Sequence, residues 1–145
     1  MADPNAARLL GTWKLISAVR EEKPSGTRTD LFGSNPTGFL NYAADGRMLT
    51  LIVRGDRKRP AGYPITPEDA AGLFRGLMSY AGTWEVRGDE VVHHVDASAN
   101  EIWTGSEQQR FYAFDGDRLL LSTPVNADPI DGKISVRSMI WERVK

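Results

Sequence analysis

Between residues 10 and 20 apolar and polar positions alternate one by one. Trp13, Leu15, Ser17 and Val19 fall on one face, and Thr12, Lys14, Ile16 and Ala18 on the other. That is strand period, and it predicts a β-strand; helical period fails, and Gly11 would weaken a helix start. The segment EEKPSGTRTDLFGSNP that follows is dense in turn formers and reads as a loop. TGFLNY (37–42) and RMLTLIV (47–53) are two further strands, joined across Asp45-Gly46, a strong hairpin signal because glycine takes positive φ without strain. Residues 54–65, RGDRKRPAGYPI, form a second loop. After it, ITPEDAAGLFRGLMSYAG predicts the one convincing helix. Thr66 is placed to cap it, Pro67 suits its first position, and Glu68 and Asp69 favour the positive end of its dipole. Leu73, Phe74, Leu77, Met78 and Tyr80 would make its apolar face, and Gly72 and Gly76 should keep it short.

From residue 81 the pattern returns to period 2. TWEV (83–86) and EVVHHVDA (90–97) flank a turn at Arg87-Gly88-Asp89, and QRFYAF (109–114) and RLLLST (118–123) flank another at Asp115-Gly116-Asp117. KISVRSMIWERV (133–144) is a long closing strand. The sum is an all-β chain of eight antiparallel strands in up-and-down order, with one short helix inserted after the third. An open sheet of that size leaves two edges unpaired, so closure into a barrel is favoured, with an interior that side chains fill or line around one small ligand. At 145 residues the whole chain, 1–145, is expected to be one domain.

Composition narrows the function more than the fold. The absence of cysteine excludes disulfides, thiolate catalysis and cysteine-based zinc sites. A formal charge of −1 gives no field that would gather nucleic acid or an anionic membrane, and neither is expected as a partner. No apolar run approaches the ~18 residues of a membrane span. The start MADPNAARLLGTW lacks the features of a secretory signal, so the expected location is the cytoplasm. There is no Gly-x-Ser-x-Gly elbow, Walker loop, Gly-x-Gly-x-x-Gly turn or metal-binding histidine pair. The run Arg54 to Arg59 carries four cations, which reads as a solvated loop that could also draw an anion to a barrel mouth.

The two histidines, His93 and His94, are neighbours on a strand and point to opposite faces, so they cannot share a metal or form a dyad. Val91, His93 and Val95 form the apolar set and Glu90, His94 and Asp96 the polar one, which makes His93 the better interior candidate. It reads either as a hydrogen-bonded core residue or as a group that binds ligand or moves a proton. Further on, the stretch WTGSEQQRFY carries Trp103, Gln108, Arg110 and Tyr112. Gln108, Arg110 and Tyr112 share a face, and an arginine with a tyrosine two residues on can hold a carboxylate or enolate oxygen. The competing readings are a salt bridge on the outer wall and an arginine covering the barrel mouth. Tyr42 and Thr50 could add hydroxyls to a cavity. Trp84, where the helix gives way to strand, should pack at that junction or line the cavity.

Gly11-Thr12-Trp13 has the Gly-x-Trp form that opens the first strand of the calycin superfamily. A longer match runs through FGSNPTGFLNYAADGRM, at Gly33, Pro36, Gly38, Leu40, Tyr42, Asp45-Gly46 and Met48. With YAGTWEV, VVHHV, WTGSEQQRFY, GDRLLLSTP and the terminal WERV in the same order, nearly the whole chain resembles the bacterial and fungal lipocalin-like domain family. Leu31 departs from it, standing where the family commonly shows proline before Phe-Gly. The resemblance implies a calycin β-barrel with a small-molecule cavity and no defined reaction. It places Trp13 at the closed end under an arginine of the last strand, Arg143 first and Arg137 second, as a structural plug. It also keeps Arg110 in place. No cofactor is expected: the likeness to the haem-binding calycin branch ends at Gly-Thr-Trp.

Three functions fit this sequence. The first is a barrel that binds a small apolar or amphipathic molecule, with His93, Arg110, Tyr112, Tyr42, Trp84, Trp103 and Gln108 around it. The second is a cofactor-independent isomerase, cyclase or hydratase with His93 as acid/base and Arg110 as oxyanion partner. The third is an interaction module with a filled barrel that homodimerises through its outer face or the 54–65 loop.

Overall fold

The computed structural model describes residues 3–128 and 131–145. Eight strands close a barrel: β1 (Gly11–Glu22), β3 (Thr37–Tyr42), β4 (Arg47–Val53), β5 (Leu77–Arg87), β6 (Glu90–Ser98), β7 (Glu107–Asp115), β8 (Arg118–Ser122) and β10 (Ile134–Arg143). Each pairs antiparallel with the next in that order, and β10 pairs back onto β1, from Trp13 opposite Arg143 to Glu22 opposite Ser135. Two short strands lie outside this cycle: β2 (Arg28–Asp30), in the segment expected to be a loop, extends β1, and β9 (Asn126–Ala127) extends β10. Closure leaves the barrel without free edges and fixes one inward face per strand. Gly38, Leu40 and Tyr42 of β3 alternate inward with Met48, Thr50 and Ile52 of β4. Among the described residues no helix is long and apolar enough to cross a membrane.

Three local expectations need correction. The helix expected over ITPEDAAGLFRGLMSYAG is α2 (Pro67–Arg75), capped by the Thr66 hydroxyl, which accepts from the Asp69 N–H. It ends at Gly76, and residues 77–81 are already β5, with Leu77 opposite Val53 and Tyr80 opposite Thr50. Met78, Tyr80, Gly82 and Trp84 follow a period of 2 that overlaps the helical spacing of Leu73, Phe74 and Leu77, and strand pairing decides between them. None of the α2 side chains is buried, so the helix lies on the barrel rather than in its core. In β1 the alternation breaks at a bulge between Leu15 and Ser17, which leaves Ile16 exposed and turns Ala18 inward in place of Ser17 and Val19. Finally, the residues before Gly11 form a helix, α1 (Pro4–Leu9).

That helix closes one end of the barrel. The Trp13 indole N–H donates to the Leu9 carbonyl at 2.9 Å, and the Arg143 guanidinium lies 4.2 Å over the indole ring. Arg143 also donates to the carbonyls of Leu10, at 2.7 Å, and Arg8. The carbonyl groups orphaned at the end of α1 are thus taken up by Trp13 and Arg143, and the positive charge sits at the negative end of the helix dipole. Arg143→Met, which keeps the stem and removes the donors and the charge, is expected to lower stability by about 2 kcal/mol. Urea unfolding measures the loss, and hydrogen exchange should show residues 4–9 losing protection.

Candidate functional site

Strand β10 carries Ser135, Arg137, Met139, Trp141 and Arg143 at one parity. Arg143 serves the closed end, and Arg137, six residues earlier, stands roughly 20 Å up the strand toward the other. Between them lies an interior cavity of about 20 Å³. That is room for about one water molecule. Leu40, Met78, Leu121, Met139 and Trp141 form its apolar walls; Thr50, Tyr80, His93, Arg110 and Arg137 face it as polar groups. Among these described residues there is no carboxylate.

His93 is buried on β6 between two tyrosines. The Tyr42 hydroxyl is 2.7 Å from its Nε2, and the Tyr80 hydroxyl 2.6 Å from its Nδ1. Both tyrosines are themselves buried, Tyr42 on β3 and Tyr80 on β5, so the three rings bridge the barrel interior. Burial, with smaller contributions from the Arg110 and His94 charges, pulls the His93 imidazole down to about 3. It is therefore neutral at pH 7, with one nitrogen donating and the other accepting. Burial raises both phenols, Tyr42 well above its ordinary value, so both stay protonated.

Arg110 on β7 donates to the Gln109 carbonyl at 2.8 Å, and no described carboxylate pairs with it. The Arg137 guanidinium is held below its ordinary range by burial and then by the Arg110 charge, offset in part by Asp128. Two guanidiniums thus share one interior region, with Asp128 acting on Arg137 from outside the lining and no carboxylate among the described lining residues themselves. The Trp141 indole nitrogen is buried without a hydrogen-bond partner among the described residues.

The residues predicted for a ligand site divide into three groups. His93 and Arg110 face the cavity, and Tyr42 supports His93 from behind. Trp84 and Trp103 belong to the layer around it: Trp84 packs against Tyr42 with its ring tilted, centroids 4.8 Å apart, and donates to the Ala43 carbonyl, while Trp103 meets Tyr80 edge-on at 6.0 Å. Tyr112 and Gln108 share the inward parity of Arg110 but are spent elsewhere, Tyr112 on the Gly88 carbonyl and Gln108 on the Ser106 hydroxyl. Phe111 points outward, as the alternation of β7 requires. His94 lies on the outer wall, 2.9 Å from Glu85 and 3.4 Å from Glu107.

Tyr80, Arg137 and Trp141 also line the cavity: Arg137, the second candidate for the plug over Trp13, lies here instead, and Trp141 is a site residue the sequence does not single out. Helical spacing places Tyr80 on the helix face, although Met78, Tyr80, Gly82 and Trp84 alternate as a strand. Arg137 and Trp141 share the parity of Arg143, so placing Arg143 inside places both of them inside too.

Fold and cavity together define a closed antiparallel calycin-type β-barrel with a polar cluster in its interior. Residues 10–144 match the family model of the lipocalin-like domain, and the chain belongs to that family. Among solved structures it is similar to a lipocalin-like protein from Bacteroides uniformis ATCC 8492, at 14% sequence identity and a TM-score of 0.49 over 94% of this chain and 98% of that one. A search of curated protein sequences gives no match.

Proposed function

We propose that the barrel binds one small amphipathic molecule in its interior, its apolar part against Met78, Leu121, Met139 and Trp141 and its polar part at Arg110 and His93. The observation that carries this reading is the pair of arginines, Arg110 and Arg137, lining one cavity beside apolar walls, with no carboxylate among its described lining residues. A barrel evolved only to be filled would place apolar side chains there. The cavity of about 20 Å³ is too small for such a ligand, so binding displaces side chains. Met78, Met139 and the two arginines are long and unbranched, the type that rearranges at low cost.

Against the enzymatic reading, both His93 nitrogens already face tyrosine hydroxyls, which leaves neither free to take a proton from a ligand. The test is titration with the fluorescent probe N-phenyl-1-naphthylamine. Saturable binding at one molecule per barrel is expected, with at least a tenfold loss in Met139→Trp, where the larger ring fills the cavity. Binding that is absent, or indifferent to Met139→Trp in a folded variant, would sink the proposal.

A further inference from the structure

We infer that the ligand's head group is a carboxylate, received by the Arg110 and Arg137 guanidiniums together with two neutral donors, the Tyr80 O–H and the Trp141 N–H. This rests on the reading of the interior as a ligand site and names the chemical class that the site takes.

The argument is an account of protons. Tyr42 is buried, does not line the cavity, and among the described residues its hydroxyl has one hydrogen-bonding neighbour, the Nε2 of His93. Its hydroxyl proton has nowhere else to go, since an unmet buried O–H is costly. Tyr42 therefore donates to Nε2, and the neutral imidazole carries its own proton on Nδ1. Nδ1–H then donates to the Tyr80 oxygen at 2.6 Å. With that lone pair taken, the Tyr80 hydroxyl proton is left over, on a residue that does line the cavity. The reverse tautomer would spend the Tyr80 proton on Nδ1 and strand the Tyr42 proton in the core. Tyr42 and His93 are thus positioning residues that aim the Tyr80 O–H at the cavity.

Trp141 adds an independent observation. It is 1% exposed, it lines the same cavity, and its Nε1–H has no partner among the described residues. Arg110 has committed one donor, to Gln109, out of the five a guanidinium carries. The site is therefore rich in donors. Its acceptors are few, because both ring nitrogens of His93 are occupied and Thr50 donates to the Phe39 carbonyl. A ligand cation would meet two like charges, and an alcohol could use one or two donors and leave the rest unmet. A carboxylate brings two oxygens and about four lone-pair sites to four donor groups that line one cavity, and it neutralises the arginine pair.

Calorimetric titration with a matched series tests this: 2-naphthylacetate, 2-naphthaleneethanol and 2-naphthylethylammonium, each against the protein and against Arg110→Met, Arg137→Met and Tyr80→Phe. The carboxylate should bind at least ~10-fold tighter than the alcohol, the ammonium ion weakest, and each arginine variant should lose about tenfold for the carboxylate and less for the alcohol. Tyr80→Phe should lose several-fold for the carboxylate and less for the alcohol, with far-UV circular dichroism reporting that the variant is folded. In ¹⁵N NMR, His93 should carry its proton on Nδ1. Equal affinity for carboxylate and alcohol would overturn the inference and leave the binding reading standing, whereas no binding by any of the series or by N-phenyl-1-naphthylamine would remove both. A proton on Nε2 would strike Tyr80 from the donor set.

Discussion

Trp13→Ala should lower the unfolding free energy by about 4 kcal/mol, and Trp84→Ala by about half as much, although both residues stand in the same tripeptide, Gly-Thr-Trp. Trp13 is 1% exposed and holds three neighbours at once: the Leu9 carbonyl through its N–H, the Arg143 guanidinium on its face, and the Phe114 ring at 6.4 Å. Truncating it leaves a large cavity beneath α1, a buried carbonyl without a donor, and a cation without its aromatic face. Trp84 is half-buried, and its ring covers Tyr42 from one side. Solvent can fill part of the space it leaves. Since domains of this size are stable by roughly 5–15 kcal/mol, Trp13→Ala removes a large share and Trp84→Ala a tolerable one. Urea unfolding of the two variants side by side measures both; equal losses would show that Trp13 is not the plug of the closed end.

The two glycines of the repeated tripeptide differ as much as the tryptophans. Gly11 has φ +115°, in the left-handed half of the map, where it turns the chain from α1 into β1. Gly82 sits at a bulge between β5 and β6, where an added Cβ would fall 1.8 Å from the His94 carbonyl oxygen. One glycine answers a dihedral demand and the other a close approach of backbones. Neither demand is visible in the letters, which are the same.

What was legible follows from period and turn chemistry. Strands β3, β4 and β6 to β8 stand where alternation and the Asp-Gly and Gly-Asp turns put them, because barrel walls enforce a strict inside–outside period. The helix was legible at its start, where Thr66, Pro67, Glu68 and Asp69 act locally. Its end was not, because Leu77 to Ala81 satisfy both periods and only pairing with β4 decides. The bulge in β1 was equally hidden, since an extra residue shifts parity without leaving a composition signal. At the site, His93 and Arg110 could be nominated as single inward ionisable residues. Their partners could not: that Tyr42 and Tyr80 take the two nitrogens of one imidazole depends on three strands meeting across the barrel. Tyr112 and Gln108 show the converse, since the inward parity of β7 does not say how far along the barrel a side chain lands.

Acid should destabilise this protein through His93, and His93→Gln should remove that part of the pH dependence. In the folded state burial holds the imidazole at about 3, whereas in the unfolded chain it returns to about 6.5. Above pH 6.5 the ring is neutral in both states and contributes no slope. Between pH 6.5 and 3 the unfolded chain binds a proton that the folded barrel refuses, so stability falls with pH by about 1.4 kcal/mol per unit. At pH 7.5 the glutamine variant, which keeps one acceptor and one donor for the two tyrosines, should be the less stable by about 1 kcal/mol. Lowering the pH to 4.5 should cost the parent about 2.7 kcal/mol more than it costs the variant, enough to reverse their order. The carboxylates of Glu85, Asp96 and Asp131, held low by hydrogen bonds to His94, Arg47 and the Lys133 N–H respectively, titrate in both proteins and cancel in the difference. Urea unfolding of parent and variant at pH 7.5, 6.5, 5.5 and 4.5 gives that difference directly. A difference that stays flat over this range would mean that the folded barrel accepts a charged His93, and with it that the two tyrosines do not hold the ring in the neutral form on which the aimed Tyr80 hydroxyl depends.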